Sequence, residues 1–157
     1  MKFEETLAIR LRAAYLHLHR SANRHFRAFD ATADQYAVMT CLAEQAGITQ
    51  QTLVARLASD KRTINKMIDL LEEKGLVERR AHPSDRRAWA LYLTKEGRKQ
   101  QKVLFDSADY LRRRLEEAVP PKHLEKMLDC LQSISERLDP DELDRIIAGK
   151  ADEKVKA

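Results

Sequence analysis

The chain has 157 residues, enough for one compact domain or one small domain with helical extensions and too few for a multidomain enzyme. Charged residues make up 34% of it, yet the net charge is only +4 at a sequence pI of about 9.1, so basicity counts only where it is clustered. Its four glycines form no phosphate- or oxyanion-cradling cluster, which argues against an enzyme, and no apolar run approaches the roughly 20 residues of a membrane span.

Leu7, Leu11, Ala14, Leu18, Ala22 and Phe29 recur at three- and four-residue steps with Arg and His between them. This spacing predicts a long amphipathic helix over residues 1–30. Glu4, Glu5, Arg10 and Arg12 interrupt the apolar pattern, so the segment does not read as a signal peptide, and a cytoplasmic location is expected. Thr32 and Gln35 stand at capping-box spacing, which starts a second helix after Thr32, and Gly47 is expected to stop it. Thr49 then caps a short helix to about Leu57, and Asp60 caps a longer one that runs to about Lys74 and closes at Gly75. In that longer helix Ile64, Met67, Ile68 and Leu71 form the inward stripe, leaving Lys61, Arg62, Asn65, Lys66 and Asp69 on the outer face.

The pattern then changes period. "LVERR" and "AWALYLT" are short, and the second alternates Trp89, Leu91 and Leu93 with Ala88, Ala90 and Tyr92, as half-buried antiparallel strands do. "HPSD" is the hairpin tip, with Arg79, Arg80, Arg86 and Arg87 around it. From Thr94 the helical period returns: one unbroken helix to Pro120-Pro121, another to Pro140, and a last short one over residues 141–148, before a frayed lysine-rich tail at 151–157. Cys41 and Cys130 stand apart from metal-ligand or redox spacing, which fits a reducing compartment and makes both core residues. His17 and His19 point about 200° apart on a helix, so the five histidines suggest no metal site.

Helix, helix, turn, helix and hairpin is the order of a winged helix-turn-helix. A helix fits the major groove of B-DNA, and a basic hairpin can follow the phosphates or enter the neighbouring minor groove. The stretch 32–97 resembles the multiple-antibiotic-resistance regulator (MarR) family. "TADQ" opens the second helix; "TQQTLVARL" and "DKRTINKMIDLLEEKGLVERR" carry the helix-turn-helix; "PSDRRAWALYLTKEG" carries the wing and its exit. Asp85 and Arg87 match the family's Asp-x-Arg wing, and Leu93, Thr94 and Gly97 its Leu-Thr-x-x-Gly exit. Thr52, Val54 and Ala31 depart from the usual residues at their positions, which touches packing and operator choice.

The resulting expectation is a mainly α protein: a winged helix-turn-helix with a two-stranded β-wing at residues 31–93, and dimerisation helices at 1–30 and 94–150. The resemblance implies a homodimeric transcription regulator, a repressor of a pseudo-palindromic site released by a small, often phenolic or anionic effector, with no cofactor and no metal. The expected DNA contacts are Gln50, Lys61, Arg62, Thr63, Asn65 and Lys66, with Ser84, Asp85, Arg86 and Arg87 on the wing. Arg62 or Asn65 reads a base; sequence leaves the choice open. Asp85 is expected to orient Arg87. By position, His17, Tyr36 and Met39 are candidates to line the effector pocket, though each also reads as a simple core residue. The family's peroxide sensors carry a cysteine on the first helix, and none stands there in this chain. A second class stays open, a helical assembly module that uses its winged helix for protein contact. Salt dependence of duplex binding separates the two.

Overall fold

In the computed structural model the described residues are 2–141 with 143 and 144. Helix α1 (Leu7–Phe26) tightens into a 3-10 turn at Arg27–Phe29, but Thr6 is extended, φ −68° and ψ 145°, so the 3-10 turn at Phe3–Glu5 stands apart and the helix predicted over 1–30 begins only at Leu7. Asp30 then takes a left-handed backbone, φ 53°, which turns the chain into α2 (Ala33–Glu44). The predicted capping box is present. Thr32 Oγ1 accepts from the Gln35 N–H at 3.1 Å, and Gln35 Oε1 accepts from the Thr32 N–H at 3.2 Å.

Helix α2 stops at Glu44, three residues short of the expected end. Gly47 serves the sheet instead. At φ +77° its N–H donates to the Leu91 carbonyl at 2.9 Å, opening β1 (Ile48–Thr49). That two-residue strand pairs antiparallel with β3 (Trp89–Leu93), which also pairs with β2 (Val77–Ala81). The expected two-stranded wing, β2 with β3, is present, and β1 adds a third strand in the order β1-β3-β2. Two residues are too few to show an alternating pattern.

Between the strands lie α3 (Gln50–Arg56) and α4 (Lys61–Glu73), and after them α5 (Lys95–Ser107). Ile64, Ile68 and Leu71 of α4 pack with Leu53, Leu91, Leu104, Met39 and Phe26 into one core, all essentially excluded from solvent. Met67, expected in the inward stripe, is half-buried at the edge of that core. The wing exit is a backbone joint. The Thr94 hydroxyl donates to the Gly75 carbonyl at 2.7 Å and accepts from the Gly97 N–H at 2.9 Å, while the Thr94 N–H donates to the Leu76 carbonyl. A methyl group on Gly97 would lie 1.9 Å from that carbonyl oxygen, so the first turn of α5 can approach β2 only because position 97 has no side chain.

The helix expected to run unbroken to the double proline is interrupted at Ala108, where α5 gives way to α6 (Asp109–Glu117). The Ser107 hydroxyl donates back to the Leu104 carbonyl at 2.8 Å, which competes with the helical ladder, and His25 Nε2 lies 3.0 Å from the same hydroxyl. The chain divides into two units, residues 1–111 and 112–157.

The second unit contains α7 (Pro121–Arg137), started by Pro121 at its first position, and none of its residues is buried. Leu128 and Leu138 are 57% and 61% exposed, and Cys130 is exposed as well, contrary to the expected core position, because it belongs to a helix with no buried face. Cys41 is buried as expected, and burial raises its thiol pKa, opposed by Arg56 and reinforced by Glu44. A bond from the Leu143 N–H to the Asp139 carbonyl closes a turn where the last short helix was predicted; residues 142 and 145–148 of that helix, and the tail 151–157, fall outside the described residues. Among the described residues no helix is long and apolar enough to cross a membrane.

Candidate nucleic-acid interface

Two capped helices and a hairpin build the site. Thr49 Oγ1 accepts from the Thr52 N–H at 3.2 Å to start α3. The turn after α3 puts Ala58 at φ 46°, while the Ser59 N–H reaches back to the Val54 carbonyl at 3.1 Å, a Schellman-type stop built on a residue that carries a Cβ. Asp60 then caps α4 twice over: Oδ1 accepts from the Thr63 N–H at 2.8 Å and Oδ2 from the Thr63 hydroxyl at 2.7 Å. The Thr63 hydroxyl and main-chain bonds hold the Asp60 carboxyl below its ordinary pKa. Since a hydroxyl has one proton, Thr63 offers a methyl group outward, and not a donor for a phosphate.

The rest of the α4 face is available. Lys61, Arg62 and Lys66 are exposed, their side chains have no bonded partner among the described residues, and Asn65 is half-buried beside them. Gln50 is less free than expected, because its amide donates to the Lys61 carbonyl at 3.2 Å and ties the start of α3 to the start of α4. Asp69, on the same outer face, is occupied by the wing.

The four arginines of the hairpin divide into two pairs. Arg79 bonds Asp69 at 2.6 Å and also Glu72, strapping β2 to α4. Arg80 pairs with Glu78 and lies 4.5 Å over the Tyr92 ring. Arg86 and Arg87 at the tip are exposed, with guanidinium groups that have no partner among the described residues.

Asp85 does hold Arg87, but not as expected. Its Oδ1 accepts from the Arg87 main-chain N–H at 2.9 Å, an Asx turn that shapes the loop and leaves the guanidinium loose. His82 organises the tip from the other side: its Nδ1 accepts from the N–H groups of Ser84 and Asp85 at 3.3 and 3.2 Å. Ser84 is exposed beside them.

A groove of about 450 Å³ runs between the wing and the starts of α3 and α4, lined by Gln50, Val54, Lys61, Arg87, Trp89 and Leu91 among others. Trp89, read from sequence as a half-buried strand residue, is 58% exposed on its rim. Nothing in the strand pattern signals that, because the strand overshoots the core. The three effector candidates are not brought together around it. Met39 is fully buried, the Tyr36 ring lies 4.7 Å from Phe26, and His17 is exposed on α1 with no bond to either. Among the described residues no three His, Cys, Asp or Glu groups converge; His19 bonds Asp34 at 3.3 Å instead.

A short helix, a tight turn and a second helix with an open basic face, braced against a β-hairpin, place the chain in the class of winged helix-turn-helix proteins. Residues 31–89 match the family model described as MarR family. The "Transcriptional regulator HosA" of Escherichia coli O111:H- is 41% identical over 70 residues, which cover 45% of this chain and 52% of that protein. The chain thus spans about half the length of such curated relatives. The structure of CouR from Rhodococcus jostii RHA1 bound to p-coumaroyl-CoA is 29% identical with a TM-score of 0.79, over 86% of this chain and 95% of that one. The transcriptional repressor CouR bound to a 23-mer DNA duplex is 27% identical with a TM-score of 0.74, over 86% and 98%. Over residues 31–89 the winged helix-turn-helix lobe is thus similar to that of the MarR family.

Proposed function

We propose that the protein is a homodimeric transcription regulator, a cytoplasmic repressor that sits on a pseudo-palindromic operator and leaves it when a small-molecule effector binds. One observation carries this reading. The arginines that brace the hairpin are neutralised within the fold, whereas Lys61, Arg62 and Lys66 on α4 and Arg86 and Arg87 on the wing tip keep their charge for an outside partner. Placed in the major groove, α4 gives Arg62 or Lys66 to guanine, Asn65 to adenine and the Thr63 methyl to thymine. Arg86 and Arg87 then meet phosphates or the adjacent minor groove. The DNA-bound and p-coumaroyl-CoA-bound structures of CouR support both halves of the proposal, duplex binding and response to an organic anion.

The dimer rests on exposed apolar stripes, on α1 with Leu7 and Leu18 and on α7 with Leu128 and Leu131. His17, Tyr36 and Met39 are the side chains proposed for the effector's pocket, next to α1 and α2. An effector releases DNA only if it binds the dimer with the wrong half-site spacing better than the DNA-competent one. Selection of bound duplexes from a random pool, followed by a screen for small molecules that release the best one, tests the proposal. Recovery of no preferred duplex overturns it.

A further inference from the structure

Trp89, Leu91 and Leu93 share one face of β3, since side chains alternate along a strand. Leu91 and Leu93 are 1% and 3% exposed against the core, yet Trp89, two residues further out, leaves 58% of its surface in water. It rims the groove between the wing and the starts of α3 and α4, with Arg87 on one wall and Lys61 on the other. Neither cation has an internal partner among the described residues. Asp85 lies on the wing wall too, but its Oδ1 accepts the Arg87 N–H.

An occupant that satisfies this groove must bring negative charge for Lys61 and Arg87. It must also offer apolar surface to an indole, and an acceptor for the indole N–H, which can only donate. A nucleic-acid strand has all three in each nucleotide: phosphate oxygens, and the carbon face of the deoxyribose between them.

We propose that this groove seats the sugar-phosphate strand that passes from the major groove filled by α4 to the minor groove under the wing, and that Trp89 is a DNA-contact residue packed on it. This rests on the proposal that α4 and the wing bind duplex DNA. Trp89 pairs with Ala81 in the sheet, and its ring lies outside the buried core. Its contribution is positional: an aromatic plate between two cations fixes the strand's path and so the angle at which Arg87 enters the minor groove.

Trp89 is the only tryptophan of the chain, which makes it its own reporter. Emission and acrylamide quenching of the full-length protein are measured with the best duplex selected from a random pool, beside binding titrations of Trp89→Phe and Trp89→Ala. The expected result is shielding of Trp89 by the duplex and a loss of about tenfold in affinity for Trp89→Ala, with Trp89→Phe between it and the parent. Unchanged circular dichroism and melting temperature of both variants locate the loss at the contact. Normal duplex binding with an unshielded tryptophan and unchanged Trp89→Ala affinity overturns the groove assignment and leaves the α4 contacts standing. Shielding by benzoate alone, at concentrations that also displace the duplex, overturns it in favour of a small-anion site. Absence of any duplex binding overturns the underlying function as well.

Discussion

The winged lobe and the terminal helices carry the same kind of apolar periodicity and meet opposite fates. Ile64, Ile68 and Leu71 on α4 are fully buried by neighbours within the chain, whereas Leu7 on α1, Leu128 on α7 and Leu138 at the C-cap of α7 are 64%, 57% and 61% exposed. An amphipathic pattern states that a face is to be covered, and not by what. In the lobe the cover is internal, which leaves its polar surface free to act. On the terminal helices the apolar surface itself is the open one, and a second copy is the proposed cover.

The largest expected effect breaks that contrast. Leu128→Asp combined with Leu131→Asp is expected to convert the dimer to monomers in sedimentation at micromolar concentration and to abolish detectable operator binding, since an obligate interface commonly buries about 2,000 Å² or more. A dimer that persists shows that α7 is not the cover.

The next sharpens the internal side. Gly97→Ala drives a methyl group into the Leu76 carbonyl and is expected to cost about 2 to 3 kcal/mol or prevent folding. Gly75→Ala meets nothing within 4 Å but must hold φ +69°, so about 1 kcal/mol is expected. Chemical denaturation of both variants checks the order.

On the outward surface, Arg62→Ala is expected to cost about 1 to 3 kcal/mol on the best operator and to relax its base preference. An equal loss on random DNA makes Arg62 a phosphate contact and passes the base to Asn65. The wing offers a finer division. Arg79→Ala should lower stability by about 1 kcal/mol, since it strands Asp69 and Glu72 beside each other, while Arg87→Ala should leave melting unchanged and weaken A·T-flanked operators more than G·C-flanked ones.

The smallest effect concerns pH. The folded Asp60 carboxyl titrates below its ordinary value of 3.8, so its cap contributes stability above that value and loses it as pH falls through the lower folded pKa. The melting difference between the parent and Asp60→Ala should therefore shrink on acidification, and a constant difference shows that the charge is immaterial.

What could be read from the sequence was mostly local. The caps at Thr32, Thr49 and Asp60 need only a side chain and an amide three residues away, and all three form. The hairpin and the inward face of α4 follow from period alone. What could not be read depends on groups distant in the chain. The fate of Arg79 is decided by Asp69 and Glu72 on another element, and the break at Ala108 involves a serine that back-bonds in its helix and meets His25. Strand β1 exists only because Gly47 and Ile48 find Leu91. At the candidate interface the basic residues were legible as a cluster. Their division into braces and free charges, and the exposure of Trp89, were not.

That division is the central claim, and the salt dependence of duplex affinity tests it most directly. With Lys61, Lys66, Arg86 and Arg87 free on each protomer of a dimer, the log-log plot of operator affinity against salt should fall with a slope of about −4 or steeper, and Arg86→Ala should reduce its magnitude by about 1 for each phosphate left without its arginine. Arg80→Ala, which removes a charge already paired with Glu78, should leave the slope where it was. An affinity that stays flat between about 50 and 200 mM salt, or an Arg80→Ala slope change as large as that of Arg86→Ala, contradicts the account.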